Sequence, residues 1–197
     1  MKRGSLKSAG MSYLSLRGLL LIPAGAVFVA SGLTNMDWVT SAHGWVFVGV
    51  VLVAALVYLR LARYYNEHYG RVSPSRRTQV RLSITAVVSS VLVVAGVQGD
   101  WSLDLPIDGT AAAFALLVLG NYAVGREFRT HQLVIWGFVL TAALLPLWGG
   151  VDPDVKINAG IVTMGVATMV TGVFDHLALR RRFGPAAGMD EADLCDG

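Results

Sequence analysis

Charge is scarce in this chain. Asp, Glu, Lys and Arg make up 15% of its 197 residues, against 54% hydrophobic, where an average soluble domain carries roughly a quarter charged residues. That shortage excludes an ordinary water-soluble fold, because a small bundle with so little polar surface has no outward face for water. Cysteine is nearly absent as well. The single thiol, Cys195, cannot form an internal disulfide, so no disulfide framework holds the fold. The four histidines, His43, His68, His131 and His176, include no i, i+4 pair on one helical face, and the spacing of metal ligands is missing. There is no P-loop, and no convergent set of nucleophile, acid and base. No catalytic residue, metal or cofactor is therefore expected.

What the chain has instead is six apolar runs, at about 18–33, 44–61, 82–97, 110–124, 132–148 and 157–179. At about 1.5 Å per residue each crosses most of a hydrocarbon layer of about 30 Å. The expected fold class is all-α, a polytopic transmembrane bundle forming one domain, with short connections that make consecutive helices antiparallel neighbours. The small, acidic stretch 184–197 is expected to be disordered.

Cations give the orientation. Lys2, Arg3, Lys7 and Arg17 precede the first run, and Arg60, at the end of the second, is followed by Arg63, Arg71, Arg76, Arg77 and Arg81 before the third. Arg126 and Arg129 follow the fourth, and Arg180, Arg181 and Arg182 follow the sixth. The alternate connections hold Asp37, Asp100, Asp104, Asp108, Asp152 and Asp154, with Lys156 as their one cation. By the positive-inside rule this predicts six spans in the plasma membrane with both termini cytoplasmic. Trp38, Trp45, Trp101 and Trp148 then form an outer aromatic belt. Lys2, Arg3 and Lys7 ahead of the first run read as the flank of a retained anchor. The net charge of +3 needs no nucleic acid, since basic flanks of apolar spans meet anionic headgroups.

Local signals place the helix ends. The second run is expected to continue as helix to Tyr69 and stop at Gly70. Ser73-Pro74 and Asp152-Pro153 each read as an N-cap followed by a first-turn proline, and Asp108 as the N-cap of the fourth run. Ala26 with Ala30, and Thr168 with Gly172, are small pairs four apart that suit close helix packing, as do Thr85, Ser89 and Ser90.

Asp175-His176 is the leading candidate polar site. The carboxylate falls near the inner edge of the hydrocarbon, at the negative end of its own helix dipole. Its i+3 and i+4 neighbours are Ala178 and Leu179, so its partner must come from another helix, and Arg60, Arg63 or Arg126 lie at similar depth. Intramembrane ionisable groups are functional candidates by default, although a packing ion pair answers the same pattern. Asn121, one turn inside the same rim, and His131 complete the candidate set. Arg71, Arg76, Arg77 and Arg81, in a basic stretch with interleaved tyrosines, suit a lipid-headgroup or protein-partner surface. Asp104, Asp108, Gly109 and Ala112 come near the signature of membrane CDP-alcohol phosphotransferases. The spacing is one residue too long and Ala113 stands where an arginine is required, so that activity is excluded. Asp100, Asp104 and Asp108 are expected in a solvated loop, because Pro106 interrupts any helix there.

The stretch Tyr64-Tyr65 to Tyr69-Gly70-Arg71-Val72-Ser73-Pro74 with Arg76-Arg77, and the exit Gly172-Val173-Phe174-Asp175-His176, resemble those of small six-span actinobacterial membrane proteins. The resemblance implies the six-span layout and no activity. Two functions follow from the sequence: a non-enzymatic membrane component (partner, sensor or permease-like subunit), or a small transporter with a cytoplasm-facing site at Asp175 and Asn121. Transport sites usually sit at the midplane on interrupted helices, and the midplane here is almost wholly apolar.

Overall fold

The computed structural model describes residues 17–36, 43–69, 76–125 and 129–183. Ser73-Pro74, Gly70 and the acidic stretch 184–197 lie outside these residues, as does Trp38. The described residues form six α-helices. They are α1 (Leu21–Asn35), entered through a 3-10 turn at Gly18–Leu20, α2 (His43–Tyr69), α3 (Arg76–Ser102), α4 (Gly109–Gly125), α5 (Thr130–Leu144) and α6 (Pro153–Phe183). Four are long and apolar enough to cross a membrane, spanning Gly18–Asn35, Gly44–His68, Ser83–Ser102 and Pro153–Arg181; α4 and α5 are shorter apolar helices. The protein is thus an all-α, multi-pass membrane bundle by composition.

Two expected caps form. Asp108 Oδ1 accepts the Ala111 N–H at 2.8 Å, and Asp152 Oδ1 accepts the Asp154 N–H at 2.9 Å, each satisfying an orphan donor of a first turn. Helix α5 ends at Leu144 rather than at Trp148, because Leu145 precedes Pro146 and takes an extended conformation (φ −66°, ψ 136°). Helix α3 runs past the apolar stretch to Ser102, which places Asp100 on a helix.

Helix α6 is the axis of the bundle. Half of its most apolar window is buried, against none for α2, and it packs on α1, α3, α4 and α5. Its contact with α1 is the most extensive in the molecule and rests on a seven-residue glycine register. Gly18, Gly25 and Gly32 face Gly172, Gly165 and Asn158 in antiparallel order. A Cβ on Gly25 would lie 2.5 Å from the Gly165 carbonyl oxygen, and one on Gly165 would lie 2.7 Å from that of Gly25. Only hydrogen fits between backbones this close. Of the expected small pairs, Gly172 takes part; Ala26 lines an apolar groove between α1 and α2 instead. Asn35 Nδ2 donates to Asn158 Oδ1 at 3.1 Å where the two helices end.

The rest of the core is small. Ala115, Trp136, Val139 and Ala167 form one cluster between α4, α5 and α6, and Ala111, Ala112 and Ala143 form another above it. Helix α2 lies at the periphery, its apolar side chains exposed along its length: Leu52, Val53 and Leu56 are each about three-fifths accessible. In water such a surface would not persist; in lipid it is the outer wall.

Candidate functional site: two buried ionic clusters

Asp175 is 1% exposed and is held by the start of α5. Its Oδ1 accepts from Arg129 Nη1 at 2.9 Å, His131 Nε2 at 2.9 Å and Gln132 Nε2 at 2.8 Å, and its Oδ2 lies 3.0 Å from the same amide. The His131 contact is a donated bond in the Nε2–H tautomer. Arg129 is the N-cap residue of α5, in an extended conformation, and His131 and Gln132 stand in the first turn. The carboxylate therefore sits against the positive end of a second helix dipole, which offsets the unfavourable end of its own.

Asp175 and His131 are thus brought together. Arg129 is the cation that pairs with Asp175, at 2.9 Å, where Arg60, Arg63 or Arg126 was expected. Arg60 and Arg63 are exposed on α2, and Arg126 lies outside the described residues. The register of α5 decides this: its cap is Arg129, so the cation one position before the helix is the one aimed at α6. Asn121 is half-buried on α4, and neither oxygen of Asp175 takes a bond from it. Arg71 lies outside the described residues; Arg76, Arg77 and Arg81 occupy the first turns of α3, and of their side chains only Arg76 is described, exposed.

His176 faces away from Asp175. Its Nδ1 lies 3.0 Å from Tyr65 Oη, and that hydroxyl accepts the Leu19 N–H at 3.2 Å. Donation of the hydroxyl proton to Nδ1 corresponds to the Nε2–H tautomer of His176. Tyr65 is fully buried against Leu179. Arg17 reaches across, with Nη2 donating to Asn66 Oδ1 at 3.1 Å. The entry to α1, the end of α2 and the end of α6 are stapled together there.

A second cluster closes the other end of the bundle, and hydropathy reading missed it. Asp100 and Asp108 are each 2% exposed, so the expected solvated loop holds for the exposed Asp104 alone. Asp100 pairs with Lys156 Nζ at 3.0 Å, both side chains almost wholly buried. Its remaining capacity goes to the start of α4: Gly109 N–H at 2.8 Å, Thr110 N–H at 2.6 Å and Thr110 Oγ1 at 2.7 Å. Lys156 Nζ also donates to the Leu105 carbonyl at 2.9 Å. Asp108 donates its N–H to the Ala143 carbonyl at 2.9 Å, and its carboxyl lies on Gly160, where a Cβ would stand 2.8 Å from Oδ2. The sequence signal was Lys156 itself, the one cation among the carboxylates of the alternate connections.

Two grooves between the helices are apolar. One, about 450 Å³, opens between α1, α3, α4 and α6 and is lined by Phe28, Phe114, Val94 and Met164 with Ser31 and Ser89. The other, about 500 Å³, lies between α1 and α2. Neither is lined by Asp175 or Asn121. Among the described residues no group of three or more His, Cys, Asp and Glu side chains could hold a metal ion. No protein-family model, curated protein or solved structure matches this chain. The geometry is that of two electrostatic clasps, one at each end of α6.

Proposed function

We propose that this chain is a non-enzymatic component of the plasma membrane, a partner, sensor or permease-like subunit, crossing the bilayer six times with both termini cytoplasmic. The observation that carries the reading is the saturation of Asp175. Arg129, His131 and Gln132 all donate to it, which leaves little capacity for a travelling ion or substrate. Helices α4 and α5, of 17 and 15 residues, measure about 25 and 22 Å, and a bilayer adapts to such spans by local thinning. Exposed Trp45 and Trp101 lie at the ends of α2 and α3 that an outer belt requires. The basic start of α3, with Arg71 before it, would meet anionic headgroups or a cytoplasmic protein partner. The likeness to small actinobacterial six-span proteins fits this layout and adds no activity.

Orientation is tested with an impermeant maleimide on a Cys195→Ser background. Asp104→Cys, exposed between α3 and α4, is expected to label on intact cells. Glu67→Cys, exposed near the end of α2, is expected to label only after permeabilisation. The reverse pattern overturns the topology.

A specific observation favours a second reading. Thr168 Oγ1, Thr171 Oγ1 and Gln132 Oε1 are buried without a hydrogen-bond partner, and they lie with Asp175 on one side of α6. Buried polar groups left open mark paths for ions or protons, as in a small transporter working from Asp175. Proteoliposomes carrying a trapped pH dye separate the two under an imposed potassium diffusion potential. Wild type and Asp175→Asn are both expected to match protein-free vesicles in proton flux, while the variant melts at lower temperature. A flux present in the wild type and absent in Asp175→Asn would establish the transporter instead.

A further inference from the structure

The cluster at the start of α6 holds two carboxyl groups and one ammonium. Asp100 and Asp108 are both 2% exposed, as is Lys156. Asp100 already takes the ammonium and three donors from the start of α4. Asp108 has the Ala111 N–H on Oδ1, while its Oδ2 is pressed toward Gly160. With every group ionised, the cluster is a buried net negative charge. A buried charge without a counter-ion is neutralised by taking up a proton.

We propose that the Asp100–Asp108–Lys156 cluster is a proton-binding site facing the outside of the cell, with Asp108 as the group that takes up the proton. The proton binding stands on the packing of α3, α4, α5 and α6. The outward orientation rests on the six-span reading above and deepens its sensor form.

The groups facing Asp108 can be named element by element. Helix α3 presents Asp100, a like charge. Helix α4 presents the Ala111 and Thr110 N–H groups of its first turn. Helix α5 presents only the Ala143 carbonyl, already taken by the Asp108 N–H. Helix α6 presents Lys156 and the bare backbone of Gly160, while Asp152 and Asp154 at its start are exposed. Burial is the largest influence and raises the affinity for the proton. Asp100 raises it too, against the opposing pull of the Ala111 N–H, Lys156 and the Thr110 N–H, and the carboxyl is pushed up to about 6.

The sign follows from linkage. The folded protein holds this proton more tightly than the unfolded chain, whose carboxyl titrates near 3.8. The stabilisation is complete below that value and is lost as pH rises through about 6. Acidification outside the cell would therefore tighten the corner where the α3–α4 connection sits on α6. At neutral pH an ionised Asp108 competes with Asp100 for Lys156 and loosens it.

The test is infrared titration of the purified full chain in detergent, with Asp108→Asn and Asp104→Asn beside the wild type. Asparagine is an equally good N-cap, so the first variant keeps the α4 start. The wild type and Asp104→Asn are expected to gain a protonated-carboxyl C=O band with a midpoint near pH 6. Asp108→Asn is expected to lack it. The fall in melting temperature between pH 5 and 7 is expected to be smaller in Asp108→Asn by the same contribution. A band unchanged by Asp108→Asn, or a midpoint near the solvent-carboxyl value of about 4, overturns the proposal. Detergent removes sidedness from this measurement. If the infrared result holds while maleimide reaches position 104 only from inside, the proton site stands and its outward orientation fails.

Discussion

Gly165→Leu is expected to leave no folded protein after detergent extraction, while Gly49→Leu extracts and melts like the wild type. The contrast comes from what each side chain would meet. At Gly165 the first added carbon lies 2.7 Å from the Gly25 carbonyl oxygen and 2.9 Å from the Val29 backbone nitrogen, and backbone cannot swing aside. At Gly49, on α2, nothing lies within 4 Å. Alanine grades the effect. Gly25→Ala and Gly165→Ala should each lower stability by roughly 1–3 kcal/mol, the usual cost of overpacking. Gly49→Ala should gain up to about 1 kcal/mol from helix propensity. Size-exclusion profiles and thermal melts read all five. If Gly165→Ala and Gly49→Ala melted together, the α1–α6 register described above would be wrong.

The second large effect is expected at the Asp100–Lys156 clasp. Lys156→Met removes the ammonium and strands Asp100 in a site where its side chain has no exposure. Breaking a buried pair in this way costs about 3–5 kcal/mol. Asp100→Asn combined with Lys156→Met should recover part of the loss, because an amide oxygen still accepts from the α4 start and position 100 no longer carries a buried charge. Arg129→Met should cost less than Lys156→Met. Asp175 keeps His131 and Gln132, and the Arg129 side chain is 16% exposed to begin with. Thermal melts of the wild type, Asp100→Asn, Lys156→Met and the double variant close a double-mutant cycle, with Arg129→Met melted beside them. Equal losses for Lys156→Met and for the double variant would show that the Asp100–Lys156 pair is not what the site depends on.

Apolar runs and their capping residues made the helices legible. A run of uncharged residues ends where a charge must reach water, and Asp108 and Asp152-Pro153 mark helix starts by chemistry that is local. The reading failed where a charge is satisfied by a distant residue. Asp100 looks like the end of a span because it is ionised, yet α3 continues beyond it because Lys156 and the start of α4 neutralise it. Pairing across such a distance leaves no local trace. The same holds for Asp175: depth along the helices narrowed its partners to inner-rim arginines, but only the register of α5 singles out Arg129. The α1–α6 contact differs, since its signal was present. Gly18, Gly25 and Gly32 repeat at seven, as do Gly165 and Gly172, and a seven-residue period marks a helix-packing seam. Spacings of four single out Gly172 and none of the other glycines of the seam.

That seam has a consequence during synthesis. Asn35 and Asn158, which close it, are 123 residues apart in the chain. At the ribosome's pace of about 5–20 residues per second, roughly 6–25 s separate them. Through that interval the glycine furrow of the first helix is in the translocon or the lipid with its true companion unmade. Nascent chains halted before the last helix should therefore expose that furrow to membrane quality control, however complete the other five helices are.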